Sequence, residues 1–216
     1  MKRIINNIHK IAGKFSPYQV FADWVELSAL AISNSMRLIH DSIWQQREDL
    51  YRNVWNQYSE QEQILLAEMF AVLVLLLEEE PSDVLGEVFM RAELGSSSGG
   101  QFFTPFHLSE LCAKLSVDIE SIKSNDETIH MNESACGAGG MIIAMAKTLK
   151  DAGVNYQKRL KVVAQDLDWR CVYMTYIQLS LLGIDAKVIQ GNTLTNPVPA
   201  DRKHILLTPR AMGVLI

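Results

Sequence analysis

Apolar residues in the first 94 positions recur at the spacing of α-helices. Residues 60–80 are apolar on nearly all sides, which predicts a helix that its neighbours enclose. Pro81 ends this helix, and Ser82 or Asp83 is a suitable N-cap for the next one. Such helices need a partner surface, either the second half of the chain or another subunit. An earlier helical stripe consists of Phe21, Trp24, Val25, Ala31, Ile32 and Ile39.

The pattern changes near residue 95. The segment GSSSGG, residues 95–100, predicts a flexible connection. Beyond it, Thr104 and Pro105 predict the start of a helix, with Thr104 as its cap and Pro105 in its first turn. The apolar face of that helix is predicted to consist of Leu108, Leu111, Cys112 and Leu115.

Strand and helix patterns then alternate. One helical stripe starts at Ile142, and a second helix is predicted over 169–182, closed by Gly183. Repeats of strand, turn and helix predict βαβ units and a parallel sheet, which is expected to be incomplete because few residues follow its fourth strand. We therefore predict a helical region over 1–94 and an incomplete α/β domain over 95–216. The four predicted strands are 128–132, 160–165, 186–190 and 204–208.

Composition narrows the class of protein. The chain is 48% hydrophobic and 21% charged, which is ordinary for a globular protein. Its net charge of −5 argues against binding nucleic acid by charge alone, unless a local basic patch or a partner contributes. Three dispersed cysteines and five dispersed histidines predict neither disulfides nor a metal site. The most apolar segment, residues 64–77, is too short to span a bilayer, so we expect a cytoplasmic protein without a membrane segment.

The segment NESACGAGGM, residues 132–141, follows the first predicted strand. Gly137, Gly139 and Gly140 allow backbone N–H groups to approach a ligand at the start of the next helix. In open α/β sheets this end of the strand is where ligands bind. The dinucleotide pattern GxGxxG is not met, because Ile142 stands at its third glycine. The glycines alone are equally compatible with a tight turn that binds nothing.

Polar residues also follow the next two strands. Asp166 comes directly after the second strand, where a carboxylate can accept hydrogen bonds from a ribose. Asp168 is better placed to cap the following helix, which leaves Asp166 available for the sugar. The segment GNTL, residues 191–194, follows the third strand in the same way. Together the three strand ends favour a bound ligand over a plain turn.

Five segments resemble, in order and spacing, the modification subunits of type I restriction systems: DVLGEVFM, GGQFFTP, NESACGAGGM, VVAQDLD and GIDAKVIQGNTL. These subunits belong with DNA adenine-N6 methyltransferases that use S-adenosylmethionine (SAM). The resemblance covers about residues 80–195 and implies a Rossmann-like methyltransferase domain after a helical bundle. It also implies SAM as cofactor and DNA as substrate. A specificity subunit or a second copy of the chain is the expected partner, bound through the N-terminal helices.

The resemblance assigns residues to three parts of the SAM site. The methionine side would be lined by Phe102, Phe103, Thr104 and Pro105. The glycine turn beneath the methionine moiety would comprise Cys136, Gly137, Gly139 and Gly140, with Asn132 and Glu133 near its usual acidic position. The nucleoside would be held at the ribose by Asp166, at the adenine ring by Leu167 and at the adenine amino group by Asn192.

The chain departs from the family at the fourth strand. The family has (Asn or Asp)-Pro-Pro-(Phe, Tyr or Trp) there, which hydrogen-bonds and stacks on a flipped adenine. Here the matching residues are Thr208, Pro209, Arg210 and Ala211, so the catalytic assignment rests on Thr208 and Pro209 of a degenerate motif.

Three hypotheses follow from this departure. The first is an adenine methyltransferase whose site a partner completes. The second is an inactive relative that binds SAM or other subunits. The third is a helical oligomerisation module fused to a nucleotide-binding half-domain.

Overall fold

The computed structural model describes residues 1–92, 94, 103–197 and 201–214, so the predicted connection over 95–100 lies outside the described residues. Five helices come first: α1 (Lys2–Ile11), α2 (Pro17–Ser35), α3 (Ser42–Trp55), α4 (Glu60–Glu79) and α5 (Val84–Arg91). The rest comprises α6 (Phe106–Ser116), α7 (Ile119–Lys123), β1 (Ile129–Glu133), α8 (Gly140–Asp151), α9 (Tyr156–Arg159), β2 (Leu160–Asp166), α10 (Trp169–Leu181), β3 (Asp185–Gln190) and β4 (Ile205–Leu207). Short 3₁₀ turns cover Arg202–His204 and Arg210–Met212.

A side chain caps the N-terminus of each helix from α2 to α5. Ser59 and Glu62 form a reciprocal capping box at α4, and Asp83 caps α5 by accepting a hydrogen bond from Gly86 N, which confirms one of the two predicted caps. Helix α2 ends at Ser35, so the prediction that Ile39 continues its stripe is wrong. Ile39 lies in the link to α3 and is 77% exposed.

The early helices share an apolar core. Helix α1 packs on α2 and α4, and burial of Ile8, Phe21 and Trp24 is nearly complete. The prediction that α4 is largely enclosed is wrong, because α1, α5 and α10 cover only one of its faces. Ile64 and Leu75 remain exposed on its other face. The buried face of α4 consists of Leu66, Met69, Leu73 and Leu77.

The four predicted strands form one sheet in the order β1-β2-β3-β4. Strands β1, β2 and β3 are parallel, as predicted, whereas β4 runs antiparallel to β3. A parallel neighbour needs a crossover connection, usually a helix. The described part of the β3–β4 link contains only a 3₁₀ turn. Strand β4 therefore returns along the edge of β3, whereas the doubly wound order would place it beside β1.

The helix predicted after Thr104 is displaced and turned from its expected orientation. It begins at Phe106 with Pro105 at the N-cap position, so Thr104 is not its cap. The predicted apolar face is exposed, most strongly at Leu115, which is 79% accessible. Helix α6 instead packs on α8, and its buried residues are Ser109 and Ala113, small side chains that allow two helices to approach closely.

Helix α10 joins the two parts of the molecule. It packs on β2 and β3 and, through another face, on α2. One hydrophobic cluster accordingly includes residues of both the helical region and the sheet. The division at residue 94 stays a prediction.

None of the described helices is long and apolar enough to cross a membrane.

Candidate cofactor-binding site

The glycine turn between β1 and α8 has a backbone that only glycine adopts readily. Gly137 has a φ of 54° and Gly139 a φ of 94°, both in the left-handed region. A Cβ on Gly137 would lie 3.0 Å from Cδ1 of Phe103, and one on Gly139 would lie 3.2 Å from Oγ1 of Thr175. The glycines thus serve both conformation and close packing.

Asp166 joins this turn to the end of β2. Its Oδ2 accepts a hydrogen bond from Gly137 N at 2.9 Å, and its Oδ1 accepts one from Asp168 N at 3.0 Å. Asp168 caps α10 by accepting from Arg170 N, as predicted. Two oxygens of a carboxylate offer about four acceptor sites, so Asp166 retains acceptors for further hydroxyl groups.

The loop after β3 contacts the same turn. Thr193 donates from Oγ1 to the carbonyl of Ser134 at 2.7 Å, and Gly191 N donates to Asp166 O at 2.9 Å. Three consecutive strand ends therefore meet at one edge of the sheet, as their polar residues predicted.

A buried polar pair beneath the turn was not predicted as part of the site. Gln178 of α10 donates from Nε2 to Asp83 Oδ1 at 2.9 Å and to the carbonyl of Ala138 at 2.8 Å. Its Oε1 accepts from Leu85 N. Burial raises the pKa of the Asp83 carboxyl group above its usual range. The available sequence signals were Gln178 inside an apolar helix and Asp83 inside DVLGEVFM.

Asp83 and Ser109 lie against the glycine turn. A Cβ on Gly140 would be 3.1 Å from Asp83 Oδ2 and 3.6 Å from Ser109 Oγ. The Ser109 hydroxyl is buried and has no hydrogen-bond partner among the described residues. Buried hydroxyls are normally hydrogen-bonded, so this one is suited to a polar ligand atom.

A cavity of about 210 Å³ lies on the turn. Six of the predicted residues line it: Phe103, Thr104, Cys136, Gly137, Gly140 and Asp166. Asp83 and Ser109 also line it. Pro105 and Thr104 line an adjacent cavity of about 400 Å³, which Asp83 also borders. The chain thus places a backbone cradle, two carboxylates and a hydroxyl around one space.

The other predicted cofactor residues lie at or beyond its margin. Asn132 is exposed on β1, and Glu133 turns back to accept from Ala135 N. Leu167 is exposed beyond Asp166, and Asn192 accepts from Leu194 N within its own loop. Phe102 lies outside the described residues.

Cys136 and Gly139 act from within the turn. Burial raises the pKa of the Cys136 thiol to about 12, so it stays protonated at neutral pH. Gly139 N donates to the carbonyl of Cys136 at 2.7 Å, which closes the turn. Both residues therefore shape the backbone cradle.

The structure does not bring Thr208 and Pro209 to this site. Thr208 is buried at the far end of β4, where its Oγ1 donates to Ile184 O at 2.7 Å and accepts from Ala186 N at 3.0 Å. Because β4 is antiparallel to β3, this end adjoins the beginning of β3, opposite the edge that carries Asp166. The two residues that the resemblance assigned to catalysis therefore lie away from the cofactor turn.

Two individual proteins are similar to parts of this chain. A methylase subunit of the type I restriction enzyme MpnII from Mycoplasma pneumoniae is 26% identical over 126 residues, which is 55% of this chain and 22% of that subunit. The chain thus spans about a fifth of the length of this relative. A type I restriction–modification methyltransferase subunit from Streptococcus thermophilus is 15% identical, with a TM-score of 0.47 over 86% of this chain and 41% of that one.

The family comparison covers the site itself. Residues 82–208, from just before the cap of α5 to just after β4, match the family described as N-6 DNA methylase. The match includes Asp83, the glycine turn and Asp166, and it extends over more than half of the 216 residues. The chain therefore belongs to the N-6 DNA methylase family.

Proposed function

We propose that this chain binds SAM on the glycine turn and serves in adenine-N6 methylation of DNA within a restriction–modification system. The observation that carries the proposal is the contact between Gly137 N and Asp166, which sets a sugar-binding carboxylate beside a backbone cradle. Membership of the N-6 DNA methylase family supports the reaction class.

The residues around the cavity fit the parts of SAM. Asp166 has acceptor sites left for the ribose hydroxyls, and Leu167 beyond it offers an exposed apolar surface to the adenine. At the inner end, Asp83 can accept a hydrogen bond from an ammonium group, and Ser109 can donate one to a carboxylate. When bound, SAM supplies an activated methyl group on its sulfonium sulfur. The task of this chain is then to hold and orient that methyl donor.

A second candidate function is a SAM-binding or subunit-interaction protein that transfers no methyl group. The position of Thr208 and Pro209 at the opposite end of the sheet favours it, because neither residue can reach a base presented to the glycine turn. Under the first function, residues other than Thr208 and Pro209 must supply the groups that receive the adenine.

A calorimetric titration of SAM into the whole chain tests the shared part of both functions. We expect micromolar binding that Asp166→Ala weakens at least about tenfold, equivalent to about 1.4 kcal/mol. Asp126→Ala is the matched control, because Asp126 is an exposed aspartate remote from the turn. The proposal is wrong if the wild-type chain does not bind SAM, or if both variants bind equally well.

Transfer of a labelled methyl group from SAM to duplex DNA separates the two functions. The methyltransferase function predicts that label enters the DNA when a specificity subunit is added. The alternative function predicts normal SAM binding but no label in the DNA, even with that subunit present. The exposed Ile64 and Leu75 on α4 support the N-terminal helices as the contact surface for such a subunit or for a second copy. Loss of co-elution on Leu75→Gln would support that surface, and retention would count against it.

A further inference from the structure

A separate cavity, of about 380 Å³, lies where the helical region meets the β3–β4 edge of the sheet. Its walls come from α2, α3, β3, β4 and the two 3₁₀ turns. It shares no lining residue with the cavity on the glycine turn. Its chemistry is therefore independent of the SAM site.

Positive charge is concentrated in this cavity. Four cations and one carboxylate line it, a formal excess of three positive charges in a chain whose net charge is −5. The carboxylate, Asp41, is already paired with Arg37. The side chains of Lys187 and Arg202 make no hydrogen bond or ion pair with any residue that the structure describes. Three cations are therefore left without a carboxylate partner.

Arg47 is the most deeply buried of them, with 7% of its surface exposed. Its guanidinium donates to Ser33 Oγ at 2.7 Å and to the carbonyl of Ile205 at 3.0 Å. These acceptors fix its position but carry no charge, and burial lowers the pKa of the guanidinium below its usual range. Buried charges in proteins are normally paired, so an anion in this cavity would supply the missing counter-charge.

The remaining wall of the cavity is apolar. Ile43, Ile205, Leu207 and Met212 form part of it, and Leu207 and Met212 are both exposed. Cationic side chains beside an apolar wall suit a ligand that carries both an anionic group and a flat aromatic ring. The volume lies in the range that small-molecule sites occupy, about 300–1,000 Å³. Arg and Lys are the side chains that bind phosphate.

We propose that this cavity is a nucleotide-binding site, with the phosphate held by Arg47, Lys187 and Arg202 and the base against Leu207 and Met212. The nucleotide is either free or one unit of a DNA strand, since both present the same phosphate and base. The inference goes beyond SAM binding and stands on a separate set of residues.

The test uses the whole chain and two double variants of equal charge. Lys187→Gln/Arg202→Gln removes two cations from the rim of the cavity, whereas Lys123→Gln/Lys158→Gln removes two exposed cations elsewhere. Deoxyadenosine monophosphate, deoxyadenosine and a fluorescent single-stranded decamer are titrated into each protein at fixed salt. Circular dichroism and SAM titration of each variant check that the fold and the other site are intact.

We expect the rim variant to bind the phosphorylated probe at least about tenfold more weakly than the wild type, and the control pair to change affinity less than about twofold. Deoxyadenosine should bind far more weakly than its monophosphate. Binding of the monophosphate identifies a free nucleotide as ligand, and binding of the decamer alone identifies a strand. The proposal is overturned if the wild type binds neither probe, or if both pairs weaken binding equally. Because SAM affinity is measured separately, failure here is distinct from failure of the proposed function.

Discussion

The backbone N–H of Gly137 donates a hydrogen bond to Oδ2 of Asp166 across 2.9 Å, although the two residues are 29 positions apart in the chain. This contact fixes the carboxylate at the end of β2 against the turn at the end of β1. It also orients Asp166 before any ligand arrives, which reduces the entropy that binding must overcome.

Replacement of Gly137 by alanine should destabilise the chain beyond the cost of its backbone conformation alone. Alanine in the left-handed region costs about 1 kcal/mol, and the new methyl group would also press on the ring of Phe103. Gly153→Ala is the control, since Gly153 has a φ of 78° but no atom within 4 Å of an added Cβ. Urea denaturation should show Gly137→Ala to be less stable than Gly153→Ala by about 1 kcal/mol. Equal losses would mean that the Phe103 contact yields without cost.

The raised pKa of Asp83 predicts a pH-dependent loss of stability. Between the ordinary value of 3.8 and the raised value, the folded chain holds a proton that the unfolded chain has released. The stability from this group is therefore present at low pH and falls as pH rises through that interval, by about 1.4 kcal/mol per pH unit. The free energy of unfolding of the wild type minus that of Asp83→Asn should fall accordingly. Asp126→Asn, at an exposed aspartate, is the matched control, and parallel curves for the two variants would refute the prediction.

Loss of the Gln178 side chain should be costly. Gln178→Ala would leave the buried Leu85 N and the Asp83 carboxylate each with one hydrogen bond fewer, at about 2–4 kcal/mol in total. The exposed Gln61→Ala is the control and should change stability by less than about 0.5 kcal/mol. Chemical denaturation of both variants measures the difference, and a loss below about 1 kcal/mol for Gln178→Ala would show that the pair contributes little.

Two threonine hydroxyls should differ in what they support: that of Thr208 should matter for stability and that of Thr193 for SAM affinity. Thr208→Val leaves Ile184 O and Ala186 N without their buried partner, so we expect a loss of about 2 kcal/mol in stability and unchanged SAM affinity. Thr193→Val releases the β3 loop from Ser134, so we expect weaker SAM binding with a stability change under about 1 kcal/mol. Denaturation and calorimetry on both variants check this. A loss of SAM affinity in Thr208→Val would restore Thr208 to the site.

The orientation of α6 can be tested by two polar substitutions. Leu115→Gln changes an exposed residue and should alter stability by less than about 0.5 kcal/mol. Ala113→Gln places a larger polar group against α8 and should cost about 1–3 kcal/mol. Thermal unfolding distinguishes the two, and the reverse order of stability would mean that the leucine face is the buried one.

The features that the sequence predicted correctly are each determined by residues close together in the chain. Left-handed backbone at Gly137 and Gly139 requires glycine, and the strands β1 to β3 appear as short apolar segments between polar turns. The helix caps at Asp83 and Asp168 are likewise decided within three residues. Each of these could be deduced without knowing what packs nearby.

The features that the sequence predicted wrongly, or did not predict, depend on distant neighbours. The stripe that includes Leu111 and Leu115 has the period of a buried face, yet close approach of α6 to α8 selects the side with small residues. The pairing of Gln178 with Asp83 spans 95 positions, so no window of sequence contains both. The direction of β4 follows from the connection before it and not from its own apolar residues.

Helix α10 connects the N-terminal helices to the cofactor site, because it contacts both α2 and the glycine turn. One side of it carries Thr175 and Gln178, which bind the carbonyls of Gly137 and Ala138, and Tyr173 near the other side contacts Glu26 of α2. Any tilt of α2 against the sheet must therefore move α10, whose Thr175 and Gln178 hold the glycine turn. A protein that binds the outer helices would therefore change the affinity for the methyl donor without contacting the cavity itself.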